Sequence, residues 1–179
     1  MSTVPRRPTK NNASKTLRGE LLRVLPVESL PDKVSWDWHA WTMRLYLPLT
    51  LTELSADSPP TRDGLTACTD VPESEGSLLE EVLEETLQEA AFVSLELARS
   101  LNAPPCRVVA VGDVPAGRTQ FSDWGEVQSL MRDGSEGQEL ARQVFTATQQ
   151  ESADSLLEQL FEEDLEWFDG SERNQIGEC

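Results

Sequence analysis

Residues 77–101 read SLLEEVLEETLQEAAFVSLELARSL, and the rest of the chain is organised around them. Ser77 and Glu80 have the spacing of a capping box, which satisfies two free backbone N–H groups. Glu80, Glu81, Glu84 and Glu85 crowd the first turns, where the helix dipole favours negative charge. Leu79, Leu83, Leu87, Ala90, Leu97 and Leu101 recur at helical spacing, with an interruption at Ser94. Asn102 and the pair Pro104-Pro105 stop the run. The spacing predicts a central helix of roughly 37 Å, at about 1.5 Å per residue. Its first half carries one apolar stripe and one acidic face. Its second half, from Ala90 to Ala98, is apolar on most sides and calls for deeper burial. Such a helix needs a partner surface.

Upstream of the helix, residues 55–76 are rich in Ser, Pro, Asp, Gly and Thr and read as a flexible loop. Before them, residues 42–54 alternate. Met43, Leu45, Leu47, Leu49 and Leu51 fall on one side, and Arg44, Tyr46, Thr50 and Thr52 on the other. That is the period of a half-buried strand. Pro48 lacks a donor, which points to an edge strand or two short ones. Downstream, residues 106–112 (CRVVAVG) suit a buried strand. Gly112-Asp113 and Pro115-Ala116-Gly117 are expected to turn the chain. A helix capped by Ser122 or Asp123 is expected through Arg132, and another over about 139–149. Residues 19–33 suit a short helix broken at Pro26 and Pro31.

Residues 155–168, SLLEQLFEEDLEWF, suit a last acidic helix ended by Gly170. Residues 155–165 match residues 77–87 at seven of eleven positions, among them Ser77/Ser155 and Leu87/Leu165. The match fits either the convergence of capped acidic amphipathic helices or a duplicated docking element. It is too short for a repeat architecture.

The chain of 179 residues carries a net charge of −17, unevenly divided. Residues 1–50 hold eight Lys/Arg against four Asp/Glu, and residues 51–179 hold seven against 28. Residues 1–18 contain Arg6, Arg7, Lys10, Lys15 and Arg18 with no acid and almost no large apolar group. A disordered basic arm is expected there, able to touch phosphates. No run approaches the roughly 20 apolar residues of a membrane span. Cys68, Cys106 and Cys179 are scattered and odd in number, which argues against a disulfide framework and a zinc site. The composition suits a soluble protein of a reducing intracellular compartment, cytoplasmic or nuclear. Small accessory proteins of viruses and phages share such a makeup.

The expected fold is α+β and helix-rich, a small sheet packed by the long central helix. A single domain is expected over residues 19–150. The basic arm precedes it, and an acidic amphipathic helix and tail come after it over 151–179.

Catalytic signatures are weak. His39 is the only histidine and has no partner the sequence can place. Residues 112–118 lack the Gly-Lys-Ser/Thr ending of a phosphate loop. The reading is a non-enzymatic protein with no cofactor and no metal. Trp36, Trp38 and Trp41 suit either a recognition patch or core packing. The last helix carries the functional expectation. Leu157, Leu160, Phe161, Leu165, Trp167 and Phe168 alternate with acids that include Glu162 and Glu163. Segments of this kind fold into grooves on partners, or pack as a C-terminal helix on their own domain. The expected function is an adaptor, regulator or assembly factor that engages a basic protein surface. Two alternatives are a nucleic-acid-associated regulator that uses residues 1–18 and an acidic-aromatic activation-type tail, and a mimic of DNA charge that inhibits a nucleic-acid-binding protein.

Overall fold

The computed structural model describes residues 42–68 and 76–176, and for residues 76–78 the backbone alone. The basic arm, the helix expected over 19–33, His39, and Trp36, Trp38 and Trp41 lie outside the described residues. So does the Ser77 side chain, and with it the expected capping box.

Strand β1 (Thr42–Leu49) keeps the expected alternation. Leu45, Leu47 and Leu49 face one core and Tyr46 the other. β1 is followed by a 3-10 turn, Leu51–Ser55, where a continuing strand was expected. Thr50 caps that turn: its N–H donates to Glu53 Oε2 at 2.8 Å. Leu51 and Leu54 then drop into the first core. β2 (Leu65–Cys68) lies inside the stretch read as a loop. It pairs antiparallel with β1 over Met43–Tyr46 only. Pro48 therefore sits beyond the end of β2, on an interior strand rather than an edge one. Its carbonyl accepts from Arg62 Nη1 at 3.4 Å.

Helix α1 (Gly76–Ser100) is the predicted central helix. Its end is a Schellman motif. Asn102 takes a positive φ of 52°, Ala103 N–H donates to Ala98 C=O, and Asn102 N–H donates to Arg99 C=O. Ala90, Ala91 and Ala98 are buried, and these small side chains let the helix approach the sheet closely. β3 (Val108–Pro115) runs straight through Gly112, where a turn was expected. A Cβ at Gly112 would stand 2.3 Å from Glu126 C=O, so the residue serves close packing.

β4 (Ser129–Asp133) replaces the helix expected over 122–132, leaving only a 3-10 turn at Trp124–Glu126. A run this short fits both periods, and pairing with Val108–Val111 of β3 decides it. Two helices come next, α2 (Ser135–Thr146) and α3 (Gln150–Glu162), which pack on each other. β5 (Leu165–Asp169) pairs antiparallel with β4, and the short α4 (Arg173–Ile176) ends the described chain.

The sheet is antiparallel throughout, in the order β2-β1-β3-β4-β5. α1 covers one face over Tyr46, Ala67, Val109 and Val111. The other face is covered by irregular chain and α4, through Leu54, Phe121, Val127 and Ile176. A third cluster, Leu95, Ala141 and Leu160, joins α1 to the α2–α3 pair. The α+β class stands as expected, but the sheet has five strands where a small one from residues 42–54 and 106–112 was expected. The separate helical tail does not stand: residues 151–176 supply α3, the edge strand and a buried Ile176 of the same unit. Ser155 lies well inside α3 and Leu165 in β5, so the stretch resembling the start of α1 is not its structural copy.

Two polar groups lock these layers. Ser94, wholly buried, accepts from Val108 N–H at 2.7 Å and donates to Leu49 C=O at 2.6 Å. Arg107 and Asp133, both wholly buried, meet through Nε and Oδ1 at 2.7 Å. Arg107 N–H also donates to Asp133 Oδ2, and its Nη2 to Glu163 C=O at 2.9 Å. Burial pushes the Asp133 carboxyl above its ordinary value, against the pull of the Arg107 charge.

Candidate functional site

The feature that position and charge single out is a groove between α1 and α3. On α1, Glu85, Glu89, Phe92 and Glu96 recur at three- and four-residue steps, so one outward face carries all four. Phe92 is 37% exposed there, a large apolar group amid acids. On α3, Leu160 points into the third cluster and is wholly buried. Leu157 and Phe161 lie partly above it. The Phe92 and Phe161 rings stand 6.0 Å apart at 38°, a tilted pair.

Two hollows adjoin this pair. One, of about 390 Å³, is lined by Phe92, Leu95, Val144, Phe145 and Leu157, with Glu96 and Arg99 at its margin. The other, of about 530 Å³, runs along Asp154, Leu157, Glu158, Phe161 and Glu162. Leu157 belongs to both. Arg99 closes one end: its Nη2 donates to Val144 C=O at 3.1 Å, and its guanidinium lies 4.8 Å from the Phe145 ring centre. Glu96, Asp154, Glu158 and Glu162 are exposed along the rim. The ion pairs among the described residues use other carboxylates. The result is an apolar floor between two rows of negative charge outside those ion pairs, with Asp154 Oδ1 accepting from Gln150 Nε2 at 2.7 Å.

The eight sequence-predicted residues do not form one face. Leu157, Phe161 and Glu162 line the groove. Leu160 is core. Glu163 lies past the end of α3, and its carbonyl serves Arg107. Leu165, Trp167 and Phe168 leave the helix altogether, for β5. Leu165 packs on the α1 side of the sheet, Phe168 on the opposite side under the Arg132 guanidinium, and Trp167 is 61% exposed. Strand formation splits them because side chains alternate across a sheet. Arg6, Arg7, Lys10, Lys15 and Arg18 lie outside the described residues. Sequence reading missed Phe92, Glu96, Arg99, Val144 and Phe145. The visible signal was Phe92 itself, seven residues after Glu85 and four before Glu96 on a solvent face.

Among the described residues, no group of three or more His, Cys, Asp or Glu side chains is placed to hold a metal ion, and no helix is long and apolar enough to cross a membrane. Residues 43–176 match a protein family described as "Family of unknown function (DUF6912)". The chain belongs to that family. The DUF6912 match opens in β1 and closes in α4, so all of the sheet but Thr42 and both walls of the groove lie inside it. No curated protein and no solved structure matches the chain.

Proposed function

We propose that this chain is a non-enzymatic interaction protein whose α1–α3 groove receives a basic amphipathic helix from a protein partner. One observation carries the reading: the exposed Phe92 and the half-buried Phe161, whose ring centre lies 5.5 Å from the Arg107 guanidinium, pair between rows of carboxylates that form no ion pair among the described residues. An incoming helix would seat apolar residues over Phe92, Leu157 and Phe161 and set Lys or Arg against Glu96, Asp154, Glu158 and Glu162. The aromatics supply affinity, and the acids supply steering and register. An adaptor or regulator works in this way, by holding a partner rather than transforming it.

A binding titration with a labelled Leu/Lys amphipathic helical peptide at two salt concentrations tests the reading. Phe161→Ala is expected to weaken the peptide by on the order of 2 kcal/mol, and Phe92→Ala, which spares the Arg107–Phe161 contact, is expected to weaken it with the fold intact. Glu158→Lys with Glu162→Lys is expected to slow association, with a difference that shrinks in salt. Equal reversals at Asp57 and Glu136, away from the groove, are expected to do much less. Rows of exposed acid also suit the mimicry of DNA charge. That alternative requires the opposite ranking, with acids dominant and Phe161 silent, and such a ranking would overturn the groove.

A further inference from the structure

The outer edge of β5 is a second surface, and it rests on observations independent of the groove. β5 closes the sheet on one side. Gly170 N–H donates inward to Gln128 C=O at 3.0 Å, and Asp169 N–H is taken on the outer side by Glu172 Oε2 at 2.8 Å. Backbone groups alternate in direction along a strand. Phe168 and Glu166 therefore bond towards β4, while Leu165 and Trp167 turn their N–H and C=O groups outward. No described residue meets them there.

Open edges invite pairing, and proteins guard them with charge. Acid predominates here, although Arg132 Nη2 of β4 stands 3.8 Å from Glu166 Oε2 and Asp169 Oδ1 accepts from Ser171. Asp164, Glu166 and Asp169 are exposed along the strand and its entrance, with the Glu166 side chain 55% exposed. A second copy pairing antiparallel about Trp167 would double these carboxylates at one seam, so the guard acts against like chains. A cationic strand meets no such barrier. Trp167, 61% exposed beside the free backbone groups, offers a large apolar contact to its cross-strand neighbour.

We propose that the β5 edge takes up an extended basic peptide segment of a partner protein as a sixth strand. The added strand would place Lys or Arg opposite Glu166, where it would share the carboxylate with Arg132, and a β-branched or aromatic residue opposite Trp167. Main-chain bonds to Leu165 and Trp167 would give affinity, and the alternation would give specificity.

The full chain, mixed with an end-blocked octapeptide alternating Lys and Val, tests this by amide hydrogen exchange resolved per residue. The amides of Leu165 and Trp167 are expected to gain protection saturably, and to lose it as salt rises. An alternating Glu and Val peptide is expected to give none. Trp167→Pro removes one outward donor, a change tolerated on an edge strand. It is expected to weaken the Lys/Val peptide about tenfold, and Trp167→Thr less. Should Trp167→Pro disturb the fold, methylating alternate peptide nitrogens is expected to abolish protection in the unaltered protein. Protection at β2 instead, or binding indifferent to both changes, overturns the proposal. So does peptide-free dimerisation at low salt that protects the same two amides.

Discussion

α1 and α3 are both acidic helices with one buried side, but they are seated in different ways. α1 lies along the sheet. Leu83, Leu87, Ala90 and Ala91 meet Tyr46, Val109 and Val111 over several turns. α3 reaches the body through Leu160, through Phe161 against Phe92 and Arg107, and through the Glu163 carbonyl just past its end, which is held by Arg107, itself held by Asp133. A broad apolar contact loses a little with each truncation. A buried ion pair contributes little net stability but is costly to break, because the survivor is left charged in a dry site. Two helices with similar surfaces are therefore expected to fail differently.

The largest effect should come from Asp133→Ala, which strands the Arg107 guanidinium. A loss of about 3–5 kcal/mol in denaturant titration is expected. Exchange of α3 amides should rise well before that of α1 amides. The double change Arg107→Met with Asp133→Leu should recover most of the loss, since no charge is left behind. If α1 and α3 exchange together in Asp133→Ala, the two seats are one.

Ser94→Ala acts on the seat of α1. It leaves the Val108 N–H and the Leu49 carbonyl without their bridging hydroxyl. The expected cost is about 1–3 kcal/mol, measured in the same titration. α1 should feel it more than α3.

The smallest effect is one of pH, on the opposite face of the sheet. The Arg118 guanidinium and the Ser122 N–H hold the Glu126 carboxyl below its ordinary value near 4.5. A depressed folded-state pKa gives stability that is full above the unfolded value and lost as pH falls through the folded one. Glu126→Gln should thus lower the thermal midpoint at pH 7 by the equivalent of under about 1 kcal/mol. The two proteins should converge below pH 4. The order in which α1 and α3 loosen should not change.

Much of the α1 seat is legible in the sequence. Its apolar rhythm and its stop at Asn102 are written locally, and the alternation of residues 42–49 marks the strand beneath. Even Ser94 is visible as an interruption, although its purpose depends on β1 and β3, which lie far off in the chain. The α3 seat is not legible. Arg107 sits in an apolar run where a charge suggests the surface, and its partner is 26 residues away at the end of an apparent helix. Residues 65–68 and 165–169 are too short for a strand period to stand out, and they become strands because a neighbour offers its edge. The groove was half legible. Phe161 and Glu162 come from a pattern read on one helix, whereas Phe92 and Phe145 join it only through packing.

The connection between β4 and β5 has a thermodynamic consequence of its own. The strands are neighbours and antiparallel, yet 31 residues, 134–164, separate them in the chain. Closing so long a connection costs only logarithmically more than closing a short one, so the ladder can form around its helical insert. The α2–α3 insert can then open as a cooperative unit of its own, at a free energy below that of global unfolding. Any ligand bound between α1 and α3 requires that unit closed. Its affinity is thereby linked to the opening equilibrium, and a change that loosens the insert reduces binding by the fraction of molecules it opens, even where it touches no ligand atom.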